Sequence, residues 1–158
     1  MTSQTSPFGP QRRILTSHAP NTPAGQSEPN VVTHDLSVQG RPVVLPTSKD
    51  GKADAYIASI WATTSNPAVS AFTLDPSNPD EDTATQVKGL VHPDGSHCQV
   101  TDLEPFTEVG MHRTSSVDYN IFVKGSATLI TPTGPNGEVQ ETEVNVGDVV
   151  VQRGTLHA

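Results

Sequence analysis

The chain has 158 residues and a formal net charge of −8 at pH 7, with 33% hydrophobic residues. This length favours one domain, and no apolar run reaches the length of a membrane span. The acidic balance argues against a nucleic-acid partner, whose phosphates require a positive surface.

Turn-forming residues are abundant, with 12 glycines and 14 prolines, which favours an all-β chain over one with long helices. The first residues, Met1 to Pro7, lack the basic region and apolar stretch of a signal peptide. The one cysteine, Cys98, cannot form an internal disulfide, as suits a reducing compartment. We therefore expect a cytoplasmic protein with no membrane partner.

Residues 1–30 are rich in polar residues and chain breakers and are expected to be largely disordered or loop-rich, apart from a short strand at Arg12–Leu15. In particular, we expect residues 1–10 and much of 17–30 to be mobile. The folded domain then spans residues 31–158. Its first strands are predicted at 41–46, between prolines, and at 55–63.

The acidic segment 75–83 lacks the regular alternate oxygen ligands and the glycine bend of a calcium loop, so we interpret it as a solvated loop. A strand is predicted at 97–103. Four histidines are interpreted as loop, turn or surface residues: His18, His34, His92 and His97.

Strands are also predicted at 118–124, 126–132, 138–145 and 149–152. In the first of these, Tyr119, Ile121 and Val123 alternate with Asp118, Asn120 and Phe122, which predicts a strand with two different faces. A tight turn at Gly125 leads into 126–132, and a hairpin loop at 131–137 leads into the return strand.

Two blocks carry the candidate chemistry. The first, residues 110–125, contains the imidazole of His112 and the carboxylate of Asp118; the second, residues 147–157, ends in His157. The first block resembles the first motif of the cupin superfamily: after His112, Thr114 stands at the position of a second histidine, Asp118 at that of a glutamate, and Gly125 closes the motif.

The second block resembles the second cupin motif, with Gly147, Gln152 in place of a proline, Gly154, and His157 two residues later. Two of the family's four metal-ligand positions match in type, one is conservative, and Thr114 replaces one imidazole. The segments 12–16 and 60–63 also resemble small fungal cupin-domain proteins found with polyketide synthases in secondary-metabolite clusters.

The resemblance implies a single-domain cupin, that is, a double-stranded β-helix or jelly-roll barrel. Because the sequence stops at Ala158, the strands that follow the second motif in typical cupins are missing, and the barrel is expected to be incomplete at its C-terminus. Open sheet edges favour pairing, so we expect an open barrel or a homodimer with an exchanged strand.

The resemblance also implies catalytic and metal-binding roles for His112, Asp118 and His157. Imidazole nitrogens with a carboxylate suit one divalent Fe, Zn, Ni or Mn ion. Against this, Thr114 removes an imidazole, and without metal the same residues can serve as a general acid–base pair. Both interpretations stay open at this point.

Substrate-binding roles are expected for five residues near these groups: Arg113, Thr114, Asn120, Phe122 and Arg153. The resemblance implies a small-molecule enzyme, an oxidoreductase acting on a polyketide-derived intermediate in fungal secondary metabolism. The alternatives are a non-redox isomerase, dehydratase or decarboxylase, and a degenerate cupin that binds a metabolite without turnover.

Overall fold

The computed structural model describes residues 6–19, 31–65, 75–78, 80–87 and 89–158. These residues form an all-β chain, consistent with a cupin jelly roll and confirming the predicted fold class. Its strands are β1 Gln11–His18, β2 Val31–Val38, β3 Arg41–Val43, β4 Ala55–Thr63, β5 Ser96–Leu103, β6 Val117–Ile121, β7 Ala127–Pro132, β8 Val139–Val144 and β9 Val149–Arg153, with one 3₁₀ turn at Thr83–Thr85.

Strands β4, β5, β7, β8 and β9 begin and end close to the predicted positions. Strand β2 is not predicted, and β1 continues through Ser17 and His18, which the sequence analysis places in a loop. The reason is cross-strand pairing: Ser17 lies opposite Val32 in the antiparallel β1–β2 register, and its hydroxyl is 3.0 Å from His34 Nε2. Tertiary pairing here overrides the local breaker signal.

The chain folds as two compact units. The first comprises the described residues up to Val44 and from Asp50 to Thr107, with a β1–β2 pair and a sheet in the order β3-β4-β5. The apolar interior of this unit centres on β4, where Ala55, Tyr56 and Ala58 are almost fully buried. A bulge between Ser59 and Trp61 shifts the register against β5.

An ion pair is buried in the same unit. The Arg13 guanidinium donates to both carboxylate oxygens of Asp82, at 3.0 and 2.5 Å, and to the carbonyl of Ile60. Asp82 also caps the 3₁₀ turn by accepting from the Ala84 amide. The pair joins β1, β4 and this turn. It therefore fixes the position of the turn, which has little apolar surface of its own.

His97 lies in β5, as predicted, but it is half-buried rather than a surface residue, and its Nε2 atom lies 3.0 Å from the Ser59 hydroxyl. His34 is likewise in a strand, β2, and not in a loop.

The second unit comprises residues 45–49 and 108–158, where β6 pairs with β9 and β7 pairs with β8, both antiparallel. The β7–β8 hairpin confirms the predicted return strand. The turn at Gly125 is present, with a φ of 75°, but it joins strands of different pairs instead of closing a β6–β7 hairpin. Strand β6 ends at Ile121, earlier than predicted, although Phe122 still exchanges backbone hydrogen bonds with Gly147 and Asp148.

One side of the β6–β9 pair is apolar and exposed: Tyr119 is 70% and Ile121 64% exposed, opposite Val151 and Val149. Such a row of apolar side chains is a common feature of association surfaces. The expected homodimer stays a prediction.

Of the N-terminal residues expected to be disordered, 1–5 and 20–30 lie outside the described residues, and 11–18 form β1. In the part of the chain that the structure describes, no helix is long and apolar enough to span a membrane.

Candidate functional site

The two motif histidines are backbone partners. His112 donates its amide hydrogen to the carbonyl of His157 at 2.8 Å, and His157 donates back to the carbonyl of His112 at 2.9 Å. These two bonds form an isolated antiparallel bridge outside the regular strands. Residues 45 positions apart in the chain are therefore held side by side by the main chain itself.

The two imidazole rings also face one another, with centroids 4.4 Å apart and planes at 60°. His112 Nδ1 lies 2.9 Å from the Gly110 carbonyl, and His157 Nδ1 lies 2.8 Å from the Thr155 carbonyl. A carbonyl oxygen only accepts hydrogen bonds, so each Nδ1 carries the proton. In this tautomer of imidazole the lone pair is on Nε2, and neither Nε2 atom makes a hydrogen bond to another described residue.

Two features place His157 in this position. Gly154 adopts a φ of 68°, a conformation that favours glycine, and thereby turns the chain after β9. Ala158 exchanges backbone hydrogen bonds with Ile130 of β7 at 2.9 and 3.0 Å. The segment after the turn is thus bonded on both sides, and His157 is only 6% exposed, whereas His112 is half-buried.

The carboxylate of Asp118 accepts hydrogen bonds from two neighbouring hydroxyl groups. Its Oδ2 atom accepts a hydrogen bond from the Thr114 hydroxyl at 2.7 Å, and its Oδ1 atom accepts one from the Ser116 hydroxyl at 2.5 Å. The chain bends at residues 115 and 116, just before β6, and this bend brings the Thr114 hydroxyl within reach of a carboxylate four positions later. Both carboxylate oxygens are therefore used to fix the segment that follows His112.

The described residues contain no group of three or more His, Cys, Asp or Glu side chains that could hold a metal ion. Of the three residues expected to bind a metal, the structure brings His112 and His157 together and leaves Asp118 in its own hydrogen bonds. Two imidazole nitrogens fall short of the three protein ligands usual in a catalytic zinc centre or a facial triad. The side chains as arranged do not fit a three-residue metal centre.

The residues expected to bind substrate are placed as follows. Arg113 and Arg153 are both exposed. Asn120 is also exposed, and its amide donates to Gln152 Oε1 at 2.9 Å across the β6–β9 pair. Phe122 is half-buried, and Thr114 is half-buried in its hydrogen bond to Asp118. The substrate-binding roles of this set stay predictions.

Sequence analysis did not identify Ser116 as a hydrogen-bond partner of Asp118, or Gln152 as a partner of Asn120. For Ser116 a signal exists: its hydroxyl lies two positions before Asp118, a spacing at which local side-chain hydrogen bonds are common. For Gln152 no local signal exists, because its partner Asn120 lies 32 positions away and depends on the β6–β9 register.

Comparison with known proteins places this chain among relatives from fungi. It is 28% identical over 134 residues to a cupin-domain-containing oxidoreductase, fogC, of Aspergillus ruber, a match that covers 81% of this chain and 61% of fogC. It is 38% identical over 69 residues, 44% of this chain, to phomopsin biosynthesis cluster protein D of Diaporthe leptostromiformis. It is 36% identical over 63 residues, 40% of this chain, to the cupin-domain-containing oxidoreductase virC of Hypocrea virens.

No family model matches the chain. The matched region covers 34% of the phomopsin cluster protein and 30% of virC, so the chain spans about a third of the length of these relatives. The resemblance to fungal cupin-domain proteins is confirmed at this modest level of identity.

Proposed function

We propose that this chain is a cupin-fold small-molecule enzyme of fungal secondary metabolism, and that it is an oxidoreductase acting on an aromatic or aldehyde intermediate derived from a polyketide. The observation that carries the proposal is the paired arrangement of His112 and His157, in which neither Nε2 atom is hydrogen-bonded to another residue that the structure describes. The names of the relatives fogC and virC support the reaction class.

The histidine pair is suited to moving protons. A neutral imidazole with a fixed Nδ1 proton can accept a proton at Nε2 and later return it, as a general base and general acid do. His157 is the more buried ring, which suits contact with an organic substrate, and half-buried His112 is the ring that exchanges protons with water. Because both Nδ1 atoms are held by backbone carbonyls, neither ring has to reorient during proton transfer.

An oxidation with this site needs an electron acceptor from outside the chain, and we propose dioxygen. In the oxidation of a hydroquinone to a quinone, the substrate loses two protons and two electrons. Nε2 of a histidine takes the first phenolic proton, so that the electron-rich phenolate can pass electrons to dioxygen. Dioxygen takes up both electrons and both protons and leaves as hydrogen peroxide, which balances the reaction.

A second candidate is a non-redox isomerase, dehydratase or decarboxylase. The observation that favours it is the composition of the site, since the groups brought together, two imidazoles, transfer protons and not electrons. The same base would then remove a carbon-bound proton next to a carbonyl, and the partner imidazole would protonate the product.

Product analysis distinguishes these candidates. The purified chain is incubated with a panel of hydroxylated aromatic aldehydes and hydroquinones of polyketide type, in air and under nitrogen, and products are identified by mass spectrometry. Product formed in air with stoichiometric hydrogen peroxide, and absent under nitrogen, supports the oxidoreductase. Equal product in both atmospheres overturns it in favour of the isomerase or lyase, and tight binding without product leaves only the metabolite-binding alternative.

A further inference from the structure

We infer that Thr114 and Ser116 hold Asp118 away from the histidine pair, and that the site of this chain therefore works without a resident metal ion. The inference concerns the site of the proposed function, on which it rests, but it is tested by metal content and not by turnover. It assigns Asp118 a positioning role in place of the ligand role that the resemblance to cupins implies.

The first step of the argument is the hydrogen bonding of Asp118. Hydrogen bonds from hydroxyl groups to a carboxylate are short and strong, and the distances of 2.7 and 2.5 Å to Thr114 and Ser116 are of this kind. Rotating the carboxylate out of this position would break both bonds. The carboxylate is thus held in place by the two hydroxyls.

The second step is the identity of residue 114. In the cupin motif that this segment resembles, a histidine stands at this position, whereas the Thr114 hydroxyl is neutral, is a poor ligand for a transition metal, and donates its proton to Asp118. The Thr114 side chain therefore has two effects: it takes the place of one imidazole, and it hydrogen-bonds the Asp118 carboxylate. Two nitrogen ligands remain, fewer than the three or four that hold zinc or iron in proteins.

The third step is what Asp118 does instead. By holding Thr114, the carboxylate fixes the backbone of that residue, whose carbonyl oxygen lies 3.4 Å from the position a Cβ atom of Gly154 would occupy. Gly154 forms the turn that leads to His157. Asp118 therefore connects the segment after His112 with the turn before His157, and acts on the histidine pair through the backbone.

The test measures metal content. The wild-type chain and a His112→Asn/His157→Asn double variant are each equilibrated with excess Fe²⁺, Zn²⁺, Ni²⁺ or Mn²⁺, passed through gel filtration, and analysed for metal. We expect the wild type to retain no more metal than the double variant. Stoichiometric metal in the wild type that the double variant lacks would overturn the inference, while leaving the proposed enzyme activity untouched.

A second measurement tests the positioning role of Asp118. The variant Thr114→Val/Ser116→Ala removes both hydroxyls, and Ser115→Ala, which removes an exposed hydroxyl between them, is the matched control. We expect the double variant, but not the control, to shift the ring resonances of both histidines in NMR spectra. Unchanged histidine resonances in a folded double variant would overturn the positioning role.

Discussion

His112 and His157 exchange two backbone hydrogen bonds, while their side chains each donate the Nδ1 proton to a separate carbonyl, of Gly110 and Thr155. The main chain thus fixes both the distance between the two rings and the tautomer of each. Pre-organisation of this kind lets an acid–base pair act without reorganising during the reaction. The following predictions test the parts of the chain on which this arrangement depends.

Gly154→Ala is expected to destabilise the fold and to disturb His157. The φ of 68° disfavours an L side chain by about 1–2 kcal/mol, and the new Cβ would lie 3.4 Å from the Thr114 carbonyl oxygen. Gly137→Ala is the control, because Gly137 also has a positive φ, but nothing lies within 4 Å of its Cβ position. Both variants should lose similar stability in urea, and only Gly154→Ala should shift the His157 ring resonances; equal shifts in both would contradict this.

The buried pair of Arg13 and Asp82 is expected to be the most sensitive ionic contact among the described residues. Removing one partner leaves the other charge buried, which typically costs about 3–5 kcal/mol, so Arg13→Met should strongly lower the free energy of unfolding. Arg12→Met removes the neighbouring pair with Asp35, which is exposed to solvent, and should change little. The free energy of unfolding is measured with denaturant. An equal decrease in the two variants would contradict the prediction that the buried pair is the more sensitive one.

Asp35 is expected to contribute a small part of the change in stability at acid pH. The Arg12 guanidinium, hydrogen-bonded to Asp35, lowers the pKa of that carboxyl below its ordinary value. Because the folded-state pKa is depressed, the contribution is complete above the unfolded-state pKa of about 3.9, and it is lost as the pH falls through the folded-state pKa. A carboxyl NMR titration should show the pKa of Asp35 rising in Arg12→Gln; an unchanged value would contradict the stated cause.

The strands of the second unit could be predicted because their signals are local. Alternation over Asp118 to Ile121 and the positive φ required at Gly125 and Gly147 are properties of short stretches. Pairing depends on distant partners, and for that reason the local signal at Gly125 predicts a turn but does not reveal that β6 pairs with β9. Strand β2 was not predicted for the same reason, because its partner β1 lies on the other side of a breaker-rich segment.

For the candidate site, the resemblance to the two cupin motifs implies that His112 and His157 come together, and the structure holds them side by side. The position of Asp118 could not be predicted, because motif spacing does not reveal which hydrogen bonds a carboxylate will prefer. The hydroxyls of Thr114 and Ser116, four and two positions away in the chain, each donate a hydrogen bond to one of its carboxylate oxygens. Whether a metal ion binds stays a prediction until metal content is measured.

The central claim is that Nε2 of the paired histidines carries the proton transfer, and a substitution by asparagine tests it most directly. In His112→Asn and His157→Asn, the side-chain amide can replace the Nδ1 hydrogen bond to the Gly110 or Thr155 carbonyl, while the Nε2 atom is removed. His97→Asn, in the first unit, controls for loss of an unrelated half-buried histidine.

The measurement is turnover of the substrate identified in the product analysis, with thermal unfolding recorded for each variant. We expect kcat to fall by about 10²–10⁴-fold, the usual contribution of a general acid or base, in His112→Asn and His157→Asn while folding is retained. The His97→Asn control should keep its kcat. Folded His112→Asn and His157→Asn variants with wild-type kcat would contradict the account.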